Sequence, residues 1–520
     1  MILVAALVAA QPGARAQSVE PAERGRAVID AALQALGGRD RVSAVPAWLA
    51  VGRGRENLSA EGQGLEPDRP TWRSHQESIA IESRTLGVAW ERRTPRNDRS
   101  LRWRRFVLTA DSSGFTDWVA RQGTLGANPA PEARRRAMAR RIPHLLLLDA
   151  ATRGSARWVA ERRFAGRLHD VVEADLPDAG RLTLWVGRDP AILSRAEYLT
   201  HIPGRGDALI GWEWRGWKRD PNLGFVPQGH RIDVGGTLYQ EVTYSRFAVD
   251  SAGVRAMVTV PAEVRSSMHR PAGASSAAPA AERLPATGEV APGVHLVSVG
   301  GFTLMFVDLG DFVVAVEAPE AARGLEAIPA TGGPPSLTSS YLARIHAGIP
   351  GKPVRYAILT HHHGDHLGGV RLFAAEGATL IVAPGHRRAV LAALDAPHTV
   401  APDGWRTSSA DGRVESVPDR RTLGDGARRL EIINVGANPH TRENLVVWLP
   451  EERILFQGDL FYYSEGGPFP PSGRGTMNRF FARRLEARRI APRAVYGVHN
   501  DGAVGPDRLA QAARAVPPGG

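Results

Sequence analysis

The sequence predicts two domains of different class, a mainly β (α+β) N-terminal domain and an α/β C-terminal domain. Three observations carry this. The chain has 520 residues, whereas a single hydrophobic core rarely grows beyond about 250–300. Residues 266–285 are small, polar and proline-bearing, as linkers are. Strand candidates dominate before them; after them, short apolar runs alternate with helical stretches, and several runs end in histidine or aspartate. The expected organisation is an export segment at 1–16, a mainly β domain at 17–265, a linker at 266–285 and an α/β domain at 286–520.

In chain order, residues 2–10 form an apolar stretch and Ala14-Arg15-Ala16 reads as a small-residue cleavage site, so residues 1–16 read as a signal peptide. Residues 22–36 have helical spacing, with Val28, Ala32 and Ala35 on one face and Gly37-Gly38 as the stop. Residues 48–51, 78–81, 181–186 and 241–247 read as strands, and 131–150 as one helical interruption with Leu145 to Leu148 buried. Past the linker, 294–299, 303–308 and 312–316 read as an opening meander. Residues 378–382 follow as a strand and 387–394 as a helix.

The chemistry concentrates at Thr360-His361-His362-His363-Gly364-Asp365-His366, directly after the apolar run Tyr356-Ala357-Ile358-Leu359. Residues two apart in an extended segment point to the same side, so His361 and His363 can reach one metal while His362 points away. Gly364 supplies a joint, and a helix starting near Asp365 would return that carboxylate and His366 to the same space. Three further groups stand at or beyond the ends of apolar runs: His440 after 430–435, Asp459 after 454–456, and His499 after 494–498. His386, between a strand and a helix, reads as a surface or helix-capping residue.

The ordered set His361-x-His363-x-Asp365-His366, then His440, Asp459 and His499, resembles the metallo-β-lactamase superfamily of metal-dependent hydrolases. The resemblance covers roughly residues 286–520. It implies an αββα sandwich, one metal on His361, His363 and His440, a second on Asp365, His366 and His499, and Asp459 as the bridge. Tyr462 resembles the phenol that lactonases of this superfamily place over a substrate carbonyl; the alternative is that Phe461, Tyr462 and Tyr463 pack beneath the next loop. The glycine- and proline-rich segment 466–473 reads as a loop bordering the site.

Imidazole and carboxylate ligands suit two zinc ions, with manganese or iron as alternatives. Two such ions about 3.5–4 Å apart can hold a bridging hydroxide, because zinc lowers the pKa of water from about 15.7 to about 7. Asp365 is then the catalytic proton carrier. The expected activity is hydrolysis of an ester-like, lactone, thioester or amide carbonyl in a small-molecule substrate. Alternatives are phosphodiester or sulfate-ester hydrolysis, iron-dependent redox chemistry on the same fold, and non-catalytic binding of an apolar ligand. The chain contains no cysteine. Superfamily lactamases that place a cysteine on the second metal are thereby excluded, and Asp459 resembles the glyoxalase II, lactonase and phosphodiesterase branches instead.

The formal net charge is +11, yet Lys218 and Lys352 are the only lysines and the arginines are scattered among acids. Arg102-Trp103-Arg104-Arg105 and Arg134-Arg135-Arg136 are the densest clusters and lie outside the metal-binding half. A solvated surface accounts for this pattern, and no nucleic-acid partner is expected. No transmembrane span is expected, and the export segment implies a periplasmic or secreted location. The N-terminal half weakly resembles the open β half-barrel of periplasmic lipoprotein carriers, which implies an apolar concave face.

Overall fold

The computed structural model describes residues 20–515 apart from 65–68, 96–100, 118–121, 124–129, 260–286, 322–324, 326, 329–335, 406–412, 425–427, 466–468 and 472. The export segment, the linker at 266–285, and residues 466–468 and 472 of the 466–473 loop therefore lie outside the described residues.

The N-terminal half is built on one 13-stranded antiparallel sheet. Its central strand, Thr237–Val249, pairs with Ala47–Asn57, which pairs on its other side with Trp72–Glu82. The strands foreseen at 48–51, 78–81, 181–186 and 241–247 are parts of longer ones. Helices Pro21–Ala35 and Pro143–Arg153 cover one face, where Ile29, Leu33, Leu146 and Leu147 pack against Trp48, Leu182, Leu184 and Trp212. The helical stretch 131–150 is two helices, Glu132–Ala139 and Pro143–Arg153. Pro143 explains the break, because its ring disfavours helical backbone at Ile142, which sits at φ −86°, ψ 113°.

The helix-covered face is not apolar throughout. Along Trp72–Glu82, Ile79 and Ile81 lie in the apolar cluster, but Glu77 and His75, two and four residues earlier on the same face, are buried among polar groups. Arg141 donates to Glu77 at 2.8 Å, and His230 lies 3.1 Å from Gln240 and 2.8 Å from the Tyr244 hydroxyl. A buried charge persists only when paired, and here the pairing is made by side chains from several strands and a helix end. The expected apolar concave surface is therefore interrupted by a polar network.

The C-terminal half has two sheets. Seven strands run in the order Gly288–Ala291, Val294–Val299, Phe302–Asp308, Val313–Val316, Val354–Ile358, Thr379–Val382, Arg413–Ser416, the first four antiparallel and the rest parallel. Five more run Arg420–Leu423, Leu430–Asn434, Leu445–Leu449, Ile454–Gln457, Ala494–Gly497. Alternation assigns the layers. Met305 and Val307 face the second sheet with Ile432, Val447 and Phe456, while Leu304 and Phe306 face Tyr341 and Ile345 of helix Leu337–Gly348. Val446 and Leu455 face Phe481 and Leu485 of helix Gly475–Ala487 on the far side. Helix, sheet, sheet, helix is thus the layer order, and strands buried on both faces read as the uninterrupted apolar runs of the sequence.

The two halves touch. Leu325 and Ile328 pack in the N-terminal core, and the Tyr198 hydroxyl donates to the Ala327 carbonyl at 2.9 Å. Asp207 receives the backbone N–H and hydroxyl of Thr399.

Candidate metal centre

Strand Val354–Ile358 lies between two parallel neighbours, so its C-terminal end opens where ligands gather in such sheets. Thr360 to His363 leave it extended, and the short helix Gly364–Leu367 then turns Asp365 and His366 back, as the spacing implied. His440 sits in a turn held by Asn438, whose side-chain oxygen accepts from the backbone N–H of His440 at 2.9 Å and of Thr441 at 2.8 Å. Asp459 follows strand Ile454–Gln457 in a turn held by Gln457, which accepts from Leu460 and Phe461 N–H and donates to the Phe461 carbonyl. Gly458 is required there: a Cβ would lie 2.3 Å from Thr360 Oγ1. His499 follows strand Ala494–Gly497 and rests against Phe302, ring centroids 5.1 Å apart.

All seven expected ligands come together. Within His361/His363/His440, within His361/His366/Asp459 and within Asp365/His366/His499, one donor atom per residue lies within 4.8 Å of the others. His361 Nε2 and His440 Nε2 are 3.1 Å apart. Asp459 Oδ2 is 3.3 Å from His440 Nε2, and Asp459 Oδ1 is 3.2 Å from both His366 Nε2 and His499 Nε2. His361, His363 and His366 are buried; His499 and Asp365 are the more open edge, with side chains 30% and 18% exposed.

The electrostatics fit a cation. Burial, with the neighbouring imidazoles, holds His361 well below the usual histidine range and takes His440 down to about 3, so both present lone pairs rather than protons. Burial opposes ionisation of Asp459, but His499, His366 and His440 outweigh it and hold the carboxyl well below its usual range. Burial likewise opposes a proton on His366, and the carboxylates of Asp459, Asp365 and Glu317 overcome it and raise this histidine well above its usual range. Asp459 Oδ1 and both His366 ring nitrogens are buried without a hydrogen-bond partner. Lone pairs converging among buried carboxylates are what a divalent ion would satisfy.

Tyr462 reaches the site. Its hydroxyl donates to Asp459 Oδ2 at 3.0 Å, the Arg474 guanidinium lies 3.6 Å from its ring centroid, and Asn478 clamps its backbone with two 2.9 Å bonds. Its ring also packs on the cluster of Phe461 and Phe481.

Two histidines differ from expectation. His386 is 2% exposed and makes no side-chain cap to helix Arg387–Asp395. It is buried because the Pro384–His386 turn tucks its ring against His362, centroids 4.7 Å apart, and burial takes the two down to about 3 and about 2. His362 does turn from the ligand set, but into protein.

Sequence reasoning missed Glu317. This buried residue follows strand Val313–Val316 with φ 76°, and its carboxylate accepts from Thr360 Oγ1 at 2.5 Å and lies 3.2 Å from His366 Nδ1. Thr360 Oγ1 is in turn 3.0 Å from His361 Nδ1. A non-glycine residue at positive φ costs about 1–3 kcal/mol and persists where the surroundings demand it. Gln63 and Gly64, from the N-terminal half, were also missed: Gln63 donates to Asp365 Oδ1 at 2.8 Å and the Gly64 carbonyl lies 2.9 Å from His363 Nε2.

Two facing sheets flanked by helices, with a histidine–aspartate cluster at strand ends, define a metal-hydrolase-like domain. Residues 331–505 match the model of the metallo-beta-lactamase superfamily. A hydroxyacylglutathione hydrolase from Methylococcus capsulatus is 27% identical over 155 residues, 29% of this chain and 48% of that protein. The chain thus spans about half the length of that curated relative. Among solved structures, a metallo-beta-lactamase from Pontibacter korlensis is 19% identical, covering 43% of this chain and 94% of its own, with a TM-score of 0.29. The DIM-1 metallo-beta-lactamase is 17% identical, covering 42% and 89%, with a TM-score of 0.30.

Proposed function

We propose that the protein is an exported hydrolase that uses two divalent ions, zinc by preference, to cleave an acyl bond in a small thioester, ester or lactone. Residues 17–265 and 286–520 are taken as its two folding units. The observation that most supports a two-ion centre is the division of Asp459. One carboxylate oxygen faces His440 and the other faces His366 and His499, at 3.2–3.3 Å. The relative named as a hydroxyacylglutathione hydrolase favours an acyl substrate.

Held by these residues, the ions would lower the pKa of water towards about 7 and polarise a carbonyl oxygen. The chain supplies the rest. Asp365, kept ionised by His366 against the effect of burial, accepts the attacking water's proton and returns it to the leaving group. Substrate enters along the His499–Asp365 edge, the least buried side of the ligand set. Tyr462, whose phenol burial and Asp459 keep protonated, stands there as a hydrogen-bond donor.

Purified full-length protein tests this. Elemental analysis without added metal should give two equivalents of zinc, and acyl thioester, lactone and ester chromogens should be cleaved faster than phosphodiester or sulfate-ester ones. Iron with oxygen consumption, or metal without turnover of any of these, would overturn the reading. Mass analysis of the protein recovered from outside the cytoplasm should show a mature N-terminus at Gln17.

A further inference from the structure

The strand Ala47–Asn57, beside the central strand of the N-terminal sheet, runs out into a loop that reaches the candidate metal centre of the other half. Asn57 fastens the loop at both ends, its side-chain oxygen accepting from the backbone N–H of Ser59 and of Thr71, each at 3.2 Å. Arg205 adds a bond to the Ser59 carbonyl at 2.9 Å. Gly62 then turns the chain with φ 81°, and three consecutive residues meet the ligand segment. The Gly62 carbonyl accepts from Gly364 N–H at 3.3 Å, the Gln63 side chain donates to Asp365 Oδ1 at 2.8 Å, and the Gly64 carbonyl accepts from His363 Nε2 at 2.9 Å.

These contacts have chemical content. A carbonyl only accepts, so His363 must carry its proton on Nε2. A metal-binding imidazole is neutral, so its lone pair is then on Nδ1. The tautomer is fixed by a backbone atom 299 residues away in sequence. Likewise the Gln63 amide occupies Asp365 Oδ1, leaving Oδ2 as the oxygen 3.7 Å from both His366 Nε2 and His499 Nε2. His363 belongs to one ligand group and Asp365 to another, so the loop reaches both.

We propose that residues 62–64 of the N-terminal domain are a positioning element of the metal centre, with Gly64 setting the His363 tautomer and Gln63 orienting Asp365. This rests on the metal-hydrolase reading. It also gives the N-terminal domain a task in that reaction: the C-terminal half alone has its ligands but lacks two of the contacts that orient them.

The test is metal competition in the full-length protein, with Zn2+ titrated against a chromophoric chelator, and the electronic spectrum of the Co2+-substituted protein as a second readout. Gln63→Met keeps the side chain's length but has no N–H to donate, and Gln63→Ala removes the side chain. Both should weaken one metal equivalent by about 10–100-fold, the range typical of partners that orient ligands. Gly64→Ala would put a Cβ 1.9 Å from Ser59 Oγ and 3.0 Å from Ser59 Cα, so the loop must shift away from His363. The other equivalent should weaken, and the Co2+ spectrum should change. The metal-free melting temperature of the Gln63 variants should match the parent, which separates positioning from loss of fold. Variants that bind both ions as tightly as the parent, with unchanged Co2+ spectra, would overturn the proposal alone. A parent that binds no divalent ion would overturn it together with the proposed function.

Discussion

Glu317 Oε1 lies 3.2 Å from His366 Nδ1 while the same oxygen accepts the Thr360 hydroxyl, so one buried carboxylate faces the imidazole of one cluster residue and holds the residue before another. Glu317→Gln keeps the shape but loses the charge. Metal affinity is expected to fall about 10–100-fold, as for other partners behind ligands, and chelator competition measures it. An unchanged affinity would mean that Glu317 serves the backbone turn alone.

Asp365→Asn removes the proton carrier and one ligand oxygen's charge. Turnover should fall by about 10²–10⁴-fold, the usual worth of a general acid–base group. One equivalent of metal should remain on His361, His363 and His440. If both metal content and turnover survive, the mechanism is wrong.

Tyr462→Phe deletes the hydroxyl that now donates to Asp459. If the phenol donates to the reacting carbonyl during turnover, kcat falls by about 10²-fold or more while metal content holds. A variant with parental kcat would assign Tyr462 to packing under Arg474.

Acid stability reads the N-terminal core. Burial takes His144 down to about 4; its ring lies 3.3 Å from the Leu223 carbonyl and 4.7 Å from Trp48. Between pH 6.5 and about 4 the unfolded chain binds a proton here that the folded chain refuses. Stability is therefore lost as pH falls through that window, by on the order of 3 kcal/mol for this site. Denaturant melts of His144→Gln between pH 7 and 4 should show a shallower loss than the parent. An equal slope would show that His144 does not cause the loss.

Gly458→Ala places a methyl 2.3 Å from Thr360 Oγ1 in a packed region. Overpacking of this kind costs about 1–3 kcal/mol, and a thermal melt of the metal-free protein should show it. The parental melting temperature would mean that Thr360 yields easily.

The seven clustered histidines and aspartates were legible because their information is local. Each stands at or just beyond the end of an apolar run, and four lie within six positions of one another. Glu317 was not legible, since Val316-Glu317-Ala318 reads as an ordinary strand exit and only the tertiary structure reveals the positive φ and the burial. His386 was misread because Pro384-Gly385-His386 has the composition of an exposed turn. Gln63 carries no signal in its own segment; its partner is Asp365. In the N-terminal half, strands such as Leu101–Leu108 and Ser155–Phe164 are rich in arginine because much of their surface is solvated, which hid them from a search for apolar runs.

The central pairing of the N-terminal sheet sets Trp48 opposite Val249. As the chain leaves the ribosome, one edge of Ala47–Asn57 therefore has no partner until Thr237–Val249 has been made. Closing so long a loop is slow, and an unpaired apolar edge is what invites chains to associate meanwhile. Chains cut short before that strand should accumulate as aggregates, and refolding of the whole protein should improve on dilution, with the yield limited by this single late pairing.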